Sequence, residues 1–176
     1  MSPVSIDRLD AIAIISVDNP PVNALSQAVR EGLLRCVDEA VDDADVEVIV
    51  IVCAGRTFIA GADIREFGRP PEPPHLPDLI ARIEAVDKPV IAAMHGTTLG
   101  GGLEVALGCH YRIAVHSALL GLPEVTLGLL PGASGTQRLP RLIGAEPALT
   151  MMLSGKPVKA SQALESGLID AICNDD

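Results

Sequence analysis

The sequence predicts an α/β fold in which parallel strands alternate with helices. Two apolar runs, residues 46–53 and 90–94, have the β-branched or small-residue composition of strands that are covered on both faces. A glycine triplet at Gly100, Gly101 and Gly102, a helix-compatible stretch and the strand-like residues 111–115 follow the second run, which is a βαβ order. The length of 176 residues fits one domain, so we expect a single domain over residues 1–176.

The N-terminal elements can be placed from their patterns. Residues 4–17 are strand-like with a polar break near Asp10, which predicts a hairpin that ends at Asn19 and the two prolines after it. Ser26 can cap the helix that follows. The apolar residues of that helix recur every four positions and predict one buried face: Val29, Leu33, Val37 and Val41.

The remaining segments are assigned from glycine, proline and apolar spacing. Between the two buried strands, glycines at 55, 61 and 68 and five prolines within residues 70–77 predict a loop that is mobile or extended. A second loop is expected through Pro123 and Pro131. Helices are expected near residues 147–153 and 161–166, the latter ended by Gly167.

Composition and charge exclude several classes of protein. The net charge of −10 and the absence of a basic cluster argue against nucleic-acid binding. The four cysteines have no spacing typical of a zinc site or a redox pair, and the histidines have none typical of metal ligands, so no metal is expected. No apolar run approaches the roughly 18 residues of a membrane span, and no secretory leader is recognisable. We therefore expect a cytoplasmic protein.

The common cofactor and nucleophile motifs are also missing. No G-x-G-x-x-G follows a strand and no G-x-x-x-x-G-K-[ST] occurs, which disfavours nucleotide binding of either kind. Ser134 lies in Gly-Ala-Ser-Gly, which lacks the spacing of a nucleophile elbow, so a serine hydrolase is disfavoured. We expect no cofactor.

Two glycine-containing turns can bring backbone N–H donors close to a ligand. The triplet at 100–102 precedes a helix, and Gly61-Ala62-Asp63 follows the first buried strand. Parallel strands end at the same sheet edge, where α/β folds place ligands, and such donors can stabilise an oxyanion. Each turn, taken alone, also fits an ordinary helix entry or tight turn.

Two glutamates in unlike surroundings are candidates for acid and base chemistry. Glu104 falls in the first turn of the predicted helix, where the helix dipole favours its ionised form. Glu124 lies in the mostly apolar run 119–130, where desolvation is expected to raise its pKa. Either residue alone has a structural explanation, but the pair is the usual basis for separate acid and base roles.

Four segments taken together resemble a known family. They are IAGADI at 59–64, HGTTLGGGLE at 95–104, LPE at 122–124 and LPGASGTQRL at 130–139. In this order they resemble the crotonase, or enoyl-CoA hydratase/isomerase, superfamily. Residues 103–114 are similar to the hydratase half of multifunctional fatty-acid oxidation enzymes.

The resemblance implies a fold and a set of site residues. The fold is the crotonase-like α/β fold of repeated ββα units. The backbone N–H groups of Ala62 and Gly101 would form the oxyanion hole, and Glu104 and Glu124 would be the catalytic carboxylates. Further substrate contacts are expected in and beside the first motif, with the two arginines near the coenzyme A phosphates: Ala60, Asp63, Ile64, Arg65 and Arg56.

The implied activity is the addition of water to a trans-2-enoyl-CoA, giving a 3-hydroxyacyl-CoA in fatty-acid β-oxidation, with enoyl-CoA isomerisation as a second activity. Alternatives are a family isomerase or thioester hydrolase, or a non-catalytic module of a multifunctional dehydrogenase. The substrate itself would bring the coenzyme A.

The resemblance also implies partners and a location. The expected partners are further copies of the chain, forming a trimer, or a 3-hydroxyacyl-CoA dehydrogenase half. Because family members continue with further helices, we expect a domain that is shortened at its C-terminus. A peroxisomal location is expected if the source is eukaryotic.

Overall fold

The structure is a computed structural model that describes residues 2–174. Its strands are β1 Val4–Leu9, β2 Ile12–Val17, β3 Val48–Cys53, β4 Val90–Met94, β5 Thr97–Leu99, β6 Tyr111–Val115, β7 Leu119–Gly121, β8 Val158–Lys159 and β9 Ala171–Cys173. Its helices are α1 Gln27–Asp42, α2 Leu76–Glu84, α3 Gly101–Gly108, α4 Gly135–Ile143, α5 Ala145–Ser154 and α6 Ala160–Glu165. Short 3₁₀ turns cover Ile64–Glu66 and Glu124–Leu127.

Two sheets organise these elements. The larger has the strand order β1-β2-β3-β4-β6-β9, antiparallel between β1 and β2 and parallel elsewhere. The smaller contains β5, β7 and β8. Pairs of strands followed by a helix recur along the chain, as in β1-β2-α1 and β4-β5-α3. The predicted α/β fold of repeated ββα units is confirmed.

The hairpin and the first helix form as their patterns predict. In the hairpin, Val4 is opposite Val17, and Asp10 lies at the turn with a positive φ of 53°. The Ser26 side chain accepts a hydrogen bond from the Val29 N–H at 3.4 Å, which caps α1. The buried side chains of α1 include Val29 and Leu33, so the helix packs its apolar face on the sheet.

Helix α2 lies where the sequence predicts only a loop. Its buried residues Leu79, Ile80 and Ile83 have the spacing of an amphipathic helix, and a proline occupies its first turn. The prediction of a loop there is wrong. The helix has only nine residues, and the prolines just before it indicate a loop more strongly than three apolar residues indicate a helix. The loop predicted through Pro123 and Pro131 is followed by α4, a helix that contains Pro140 and is not predicted.

The described part of the chain contains no helix that could cross a membrane, because none is both long and apolar enough. The expectation of a shortened C-terminus falls on Asp175 and Asp176. These two residues, like Met1, lie outside the described part of the chain.

Candidate active site

A cavity of about 280 Å³ lies between the loop after β3, the start of α3 and the 3₁₀ turn at Glu124–Leu127. Its walls are mainly apolar, and two carboxylates line it. The lining residues are Ala60, Gly61, Ala62, Ile64, Phe67, Leu76, Pro77, Gly100, Gly101, Glu104, Pro123, Glu124, Leu127, Leu129, Leu130, Gly132 and Ala133. Six of the nine site residues predicted from the sequence line this cavity.

The loop after β3 and the start of α3 approach each other closely. Strands β3 and β4 are parallel neighbours, so the chain leaves both at the same sheet edge. A Cβ atom on Gly101 would lie 3.7 Å from the Ala62 nitrogen, and one on Gly102 would lie only 2.2 Å from the Ile59 carbonyl oxygen. Glycine at 102 is therefore required for this contact.

Two backbone N–H groups are available beside this contact. Among the hydrogen bonds of residues 2–174, none is donated by the Ala62 or Gly101 N–H. Gly101 is the first residue of α3, where N–H groups lack a partner within the helix. Both residues line the cavity, so both donors can serve a ligand that enters it.

Glu104 is buried on α3 and held by backbone donors from a distant turn. Its Oε1 atom accepts hydrogen bonds from the N–H groups of Ala133 and Gly135, each at 2.8 Å. Burial raises the pKa of the Glu104 carboxyl above its ordinary value, and the two N–H donors oppose that rise. We call residues 133–135, which supply these donors, the backbone clamp.

Glu124 begins the second 3₁₀ turn in a different environment. Its Oε2 atom is buried without a hydrogen-bond partner among the described residues, and a Cβ atom on Gly100 would lie 3.3 Å from its Oε1. Burial is the largest cause of its raised pKa, opposed by its own N–H and reinforced by the negative charge of Glu104. The charge of Glu104 therefore disfavours ionisation of Glu124.

Three of the predicted substrate contacts do not line the cavity. Asp63 is buried and caps the first 3₁₀ turn by accepting from the Arg65 N–H at 3.0 Å. The Arg65 guanidinium pairs with the same carboxylate, Nη2 to Oδ2 at 2.6 Å, which lowers the pKa of Asp63. Arg56 is exposed in the loop after β3. The other predicted contacts, Ala60 and Ile64, do line it.

Some features of the site lie beyond the sequence predictions. The clamp donors at 133 and 135 are about thirty positions from Glu104, and only the folded chain brings them together. The apolar wall also includes Phe67, Leu127 and Leu130, whose exposed fractions are 50%, 63% and 77%. Within residues 2–174, no group of three His, Cys, Asp or Glu side chains is arranged to hold a metal ion.

Comparison with known proteins supports one family. Residues 7–176 match the family described as enoyl-CoA hydratase/isomerase. The "Probable enoyl-CoA hydratase" of Bacillus subtilis is 45% identical over 183 residues, covering 100% of this chain and 71% of that protein. The crystal structure of an enoyl-CoA hydratase from Bacillus anthracis superposes with a TM-score of 0.91 at 36% identity, over 98% of this chain and 70% of that one.

A second group of relatives is much longer. The "Peroxisomal bifunctional enzyme" of Danio rerio is 52% identical over 162 residues, which is 92% of this chain but 23% of that protein. The human protein of the same name is 48% identical over 95% of this chain and 23% of its own length. This chain thus spans about a quarter of those relatives. With the match over residues 7–176, it belongs to the enoyl-CoA hydratase/isomerase family.

Proposed function

We propose that this chain is an enoyl-CoA hydratase that adds water to a trans-2-enoyl-CoA and yields a 3-hydroxyacyl-CoA. The observation that carries the proposal is that Glu104 and Glu124 line one apolar cavity together with the unpaired N–H groups of Ala62 and Gly101. Water addition needs one site that activates water, one that supplies a proton and donors that stabilise the developing negative charge. This cavity has all three.

In the proposed reaction, the Ala62 and Gly101 N–H groups hold the thioester oxygen and make C3 electrophilic. Glu104 takes a proton from water while the oxygen forms a bond to C3. The C2–C3 π electrons then reside in an enolate that the same two donors stabilise. Glu124 gives its proton to C2, and the enolate collapses to the thioester. Exchange with solvent then removes the proton from Glu104 and returns one to Glu124 before the next turnover. No electron is gained or lost overall, so the step needs no redox cofactor.

The environments of the two carboxylates suit these roles. The clamp donors on Glu104 Oε1 stabilise its charged form, as a base requires, while burial keeps its pKa above that of an exposed glutamate. Glu124 has a buried oxygen without a donor and lies near the charge of Glu104, which favours its protonated form. Glu104 is accordingly the base and Glu124 the acid.

Enoyl-CoA isomerisation is a second activity that the same site supports. A carboxylate that gives a proton to C2 can also carry one between C2 and C4 when the double bond is displaced. The partnerless Oε2 of Glu124 favours this role, because a proton carrier needs an oxygen that no protein donor occupies. Conversion of a 3-enoyl-CoA to its 2-enoyl isomer would detect it.

Arg56 and Arg65 are proposed to contact the coenzyme A phosphates. The whole chain carries a net charge of −10, so an anionic substrate needs local cations. Arg65 is largely exposed, although it pairs with Asp63. An Arg65→Ala variant is expected to bind acyl-CoA several-fold more weakly, and an unchanged dissociation constant would remove this residue from the proposal.

The context of the chain is inferred from its relatives. The relatives called bifunctional or multifunctional support association with a further catalytic half, which the family resemblance implies is a 3-hydroxyacyl-CoA dehydrogenase. Those called peroxisomal support that compartment if the source is eukaryotic, and a cytoplasmic location stays our proposal for a bacterial source. We propose that residues 1–176 act as one domain, because one apolar cluster runs from Val4 to Ile169. We take self-association into a trimer from the family resemblance, and the exposed leucines Leu149 and Leu153 on α5 offer apolar surface for an interface.

The loss of the conjugated thioester of crotonyl-CoA tests the main proposal. The wild-type chain is expected to remove the enoyl absorbance and form 3-hydroxybutyryl-CoA, whereas Glu104→Gln is expected to be slower by roughly a thousandfold. Glu165→Gln, at an exposed position on α6, is the matched control and should match the wild type. Equal rates for wild type and Glu104→Gln would reject the hydratase assignment.

A further inference from the structure

One wall of the cavity is attached to a segment that has little apolar anchoring. The proline segment, residues 66–75, includes Phe67 and leads directly into Leu76 and Pro77, and these three residues line the cavity. Every residue from 67 to 73 is exposed, so the segment buries no side chain of its own there. Polar contacts must therefore fix its position.

Arg30 on α1 supplies most of those contacts. Its buried guanidinium donates to the carbonyl oxygens of Pro74 at 2.8 Å and Glu72 at 3.0 Å, and to the carboxylate of Glu66 at 2.8 Å. The Arg30 Nη1 atom, which bonds Glu66, also donates to the Leu25 carbonyl oxygen at 2.9 Å. One rigid planar group thus fixes both ends of the proline segment.

Three further hydrogen bonds connect the Arg30 hub, which is the guanidinium with the acceptors named above, to its surroundings. Gln27 is also on α1. Its backbone N–H donates to the Glu66 carboxylate at 2.6 Å, and its side-chain amide donates to the Pro73 carbonyl oxygen at 3.1 Å. The Leu25 N–H donates to the Gly61 carbonyl at 2.9 Å, next to the proposed oxyanion donor Ala62. Arg30 therefore lies behind the apolar wall, whereas the Leu25 N–H itself holds the loop that carries that donor.

We propose that Arg30 is a positioning residue that sets acyl-chain selectivity, an inference that rests on the proposed hydratase function. The carboxylates and N–H donors act on the thioester and the first carbons of the acyl group. The wall of Phe67, Leu76 and Pro77 is then left for the carbons beyond them. Arg30 touches no substrate and acts by keeping this wall in place.

The test compares crotonyl-CoA with trans-2-decenoyl-CoA. In Arg30→Met, the KM for the decenoyl substrate is expected to rise roughly tenfold while kcat stays within about twofold, because only apolar contact with the longer chain is lost. Both constants for crotonyl-CoA should stay within about twofold. Arg30→Lys, which keeps the charge but not the planar fork, should give an intermediate rise.

Arg35→Met is the matched control, since Arg35 is on the same helix but donates to the Glu39 carboxylate and the Val4 carbonyl oxygen, which lie outside the proline segment. It should leave the preference unchanged. An equal loss of kcat/KM for both substrates in Arg30→Met, or no change in a folded variant, overturns the proposal. If that variant does not fold, Phe67→Ala tests the same wall, and an unchanged decenoyl KM there is equally decisive.

The hydratase assignment and the selectivity proposal can fail separately. If the wild type hydrates neither substrate, the assignment fails, and the dissociation constants of butyryl-CoA and decanoyl-CoA carry the test of Arg30. Loss of decanoyl-CoA preference in Arg30→Met but not in Arg35→Met supports the proposal. An unchanged preference in Arg30→Met overturns it.

Discussion

The two carboxylates of the cavity are held in opposite ways. Glu104 is on a helix whose start is packed against the loop after β3, and two backbone N–H groups of the clamp fix its Oε1. Glu124 is at the start of a 3₁₀ turn, and its buried Oε2 has no partner among residues 2–174. The fold therefore fixes Oε1 of Glu104 before substrate binds and leaves Oε2 of Glu124 available to substrate or water.

This contrast agrees with the proposed division of roles. A base that orients a water molecule gains from a fixed position, because misplacement by an ångström is costly in rate. An acid that delivers a proton to carbon gains from an oxygen that no protein donor occupies.

Shortening each side chain should give the largest difference. Glu104→Asp removes one methylene and withdraws the carboxylate from both clamp donors, so kcat is expected to fall roughly a thousandfold. Glu124→Asp breaks no hydrogen bond to Oε2 and is expected to lower kcat only about tenfold. Steady-state kinetics with crotonyl-CoA measure both, and equal losses would remove the distinction.

Alanine substitutions at the start of α3, the helix that carries Glu104, should lower the free energy of unfolding. In Gly102→Ala, the added methyl group would lie 2.2 Å from the Ile59 carbonyl oxygen, and a loss of about 3 kcal/mol in unfolding free energy is expected. In Gly101→Ala it would meet the ends of Leu76 and Leu25 at 2.9 and 3.1 Å, which can move, so about 1 kcal/mol is expected. Urea unfolding should show this order; the reverse order would contradict it.

The pH dependence of stability should identify the unclamped glutamate. Because burial raises the pKa of Glu124 in the folded state, its ionisation destabilises the fold as the pH rises through that pKa. Glu124→Gln is therefore expected to melt at a higher temperature than the wild type at pH 7. The difference should vanish below the ordinary glutamate pKa of 4.5.

Thermal melts of Glu124→Gln, the wild type and the exposed control Glu165→Gln between pH 4 and pH 8 measure this effect. The control should follow the wild type throughout. A stabilisation of Glu124→Gln that stays constant over the whole range would show that charge is not its cause.

The smallest effect is expected within the clamp itself. Ser134 lies between the two clamp donors with a φ of 75°, a conformation that favours glycine. Relief of backbone strain is partly offset by the greater freedom of glycine in the unfolded chain, so Ser134→Gly should gain about 0.5 kcal/mol. Urea unfolding checks this, and a loss of stability would show that the serine side chain contributes more than its strain costs.

Long periodic segments and motifs were predictable, whereas short elements were not. The hairpin, α1, β3, β4 and β6 each have an extended pattern of apolar residues or a cap, and they form where that pattern predicts. Strands β5, β7 and β8 have three residues or fewer, which is too short for a period to be recognised. Helix α2 does carry the apolar spacing of an amphipathic helix, at Leu79, Ile80 and Ile83, but prolines surround its start.

The chain sequence by itself determined the family, the α/β fold and the identity of the two candidate carboxylates, because these depend on residue types at fixed spacing along the chain. Only the tertiary structure decided what holds them. The clamp on Glu104 and the Arg30 hub join residues that are about thirty or more positions apart in the sequence. The partnerless oxygen of Glu124 depends on burial by the surrounding fold. Local sequence patterns do not predict such contacts. Nearly every residue has a backbone N–H and C=O group, and tertiary packing determines which of them meet.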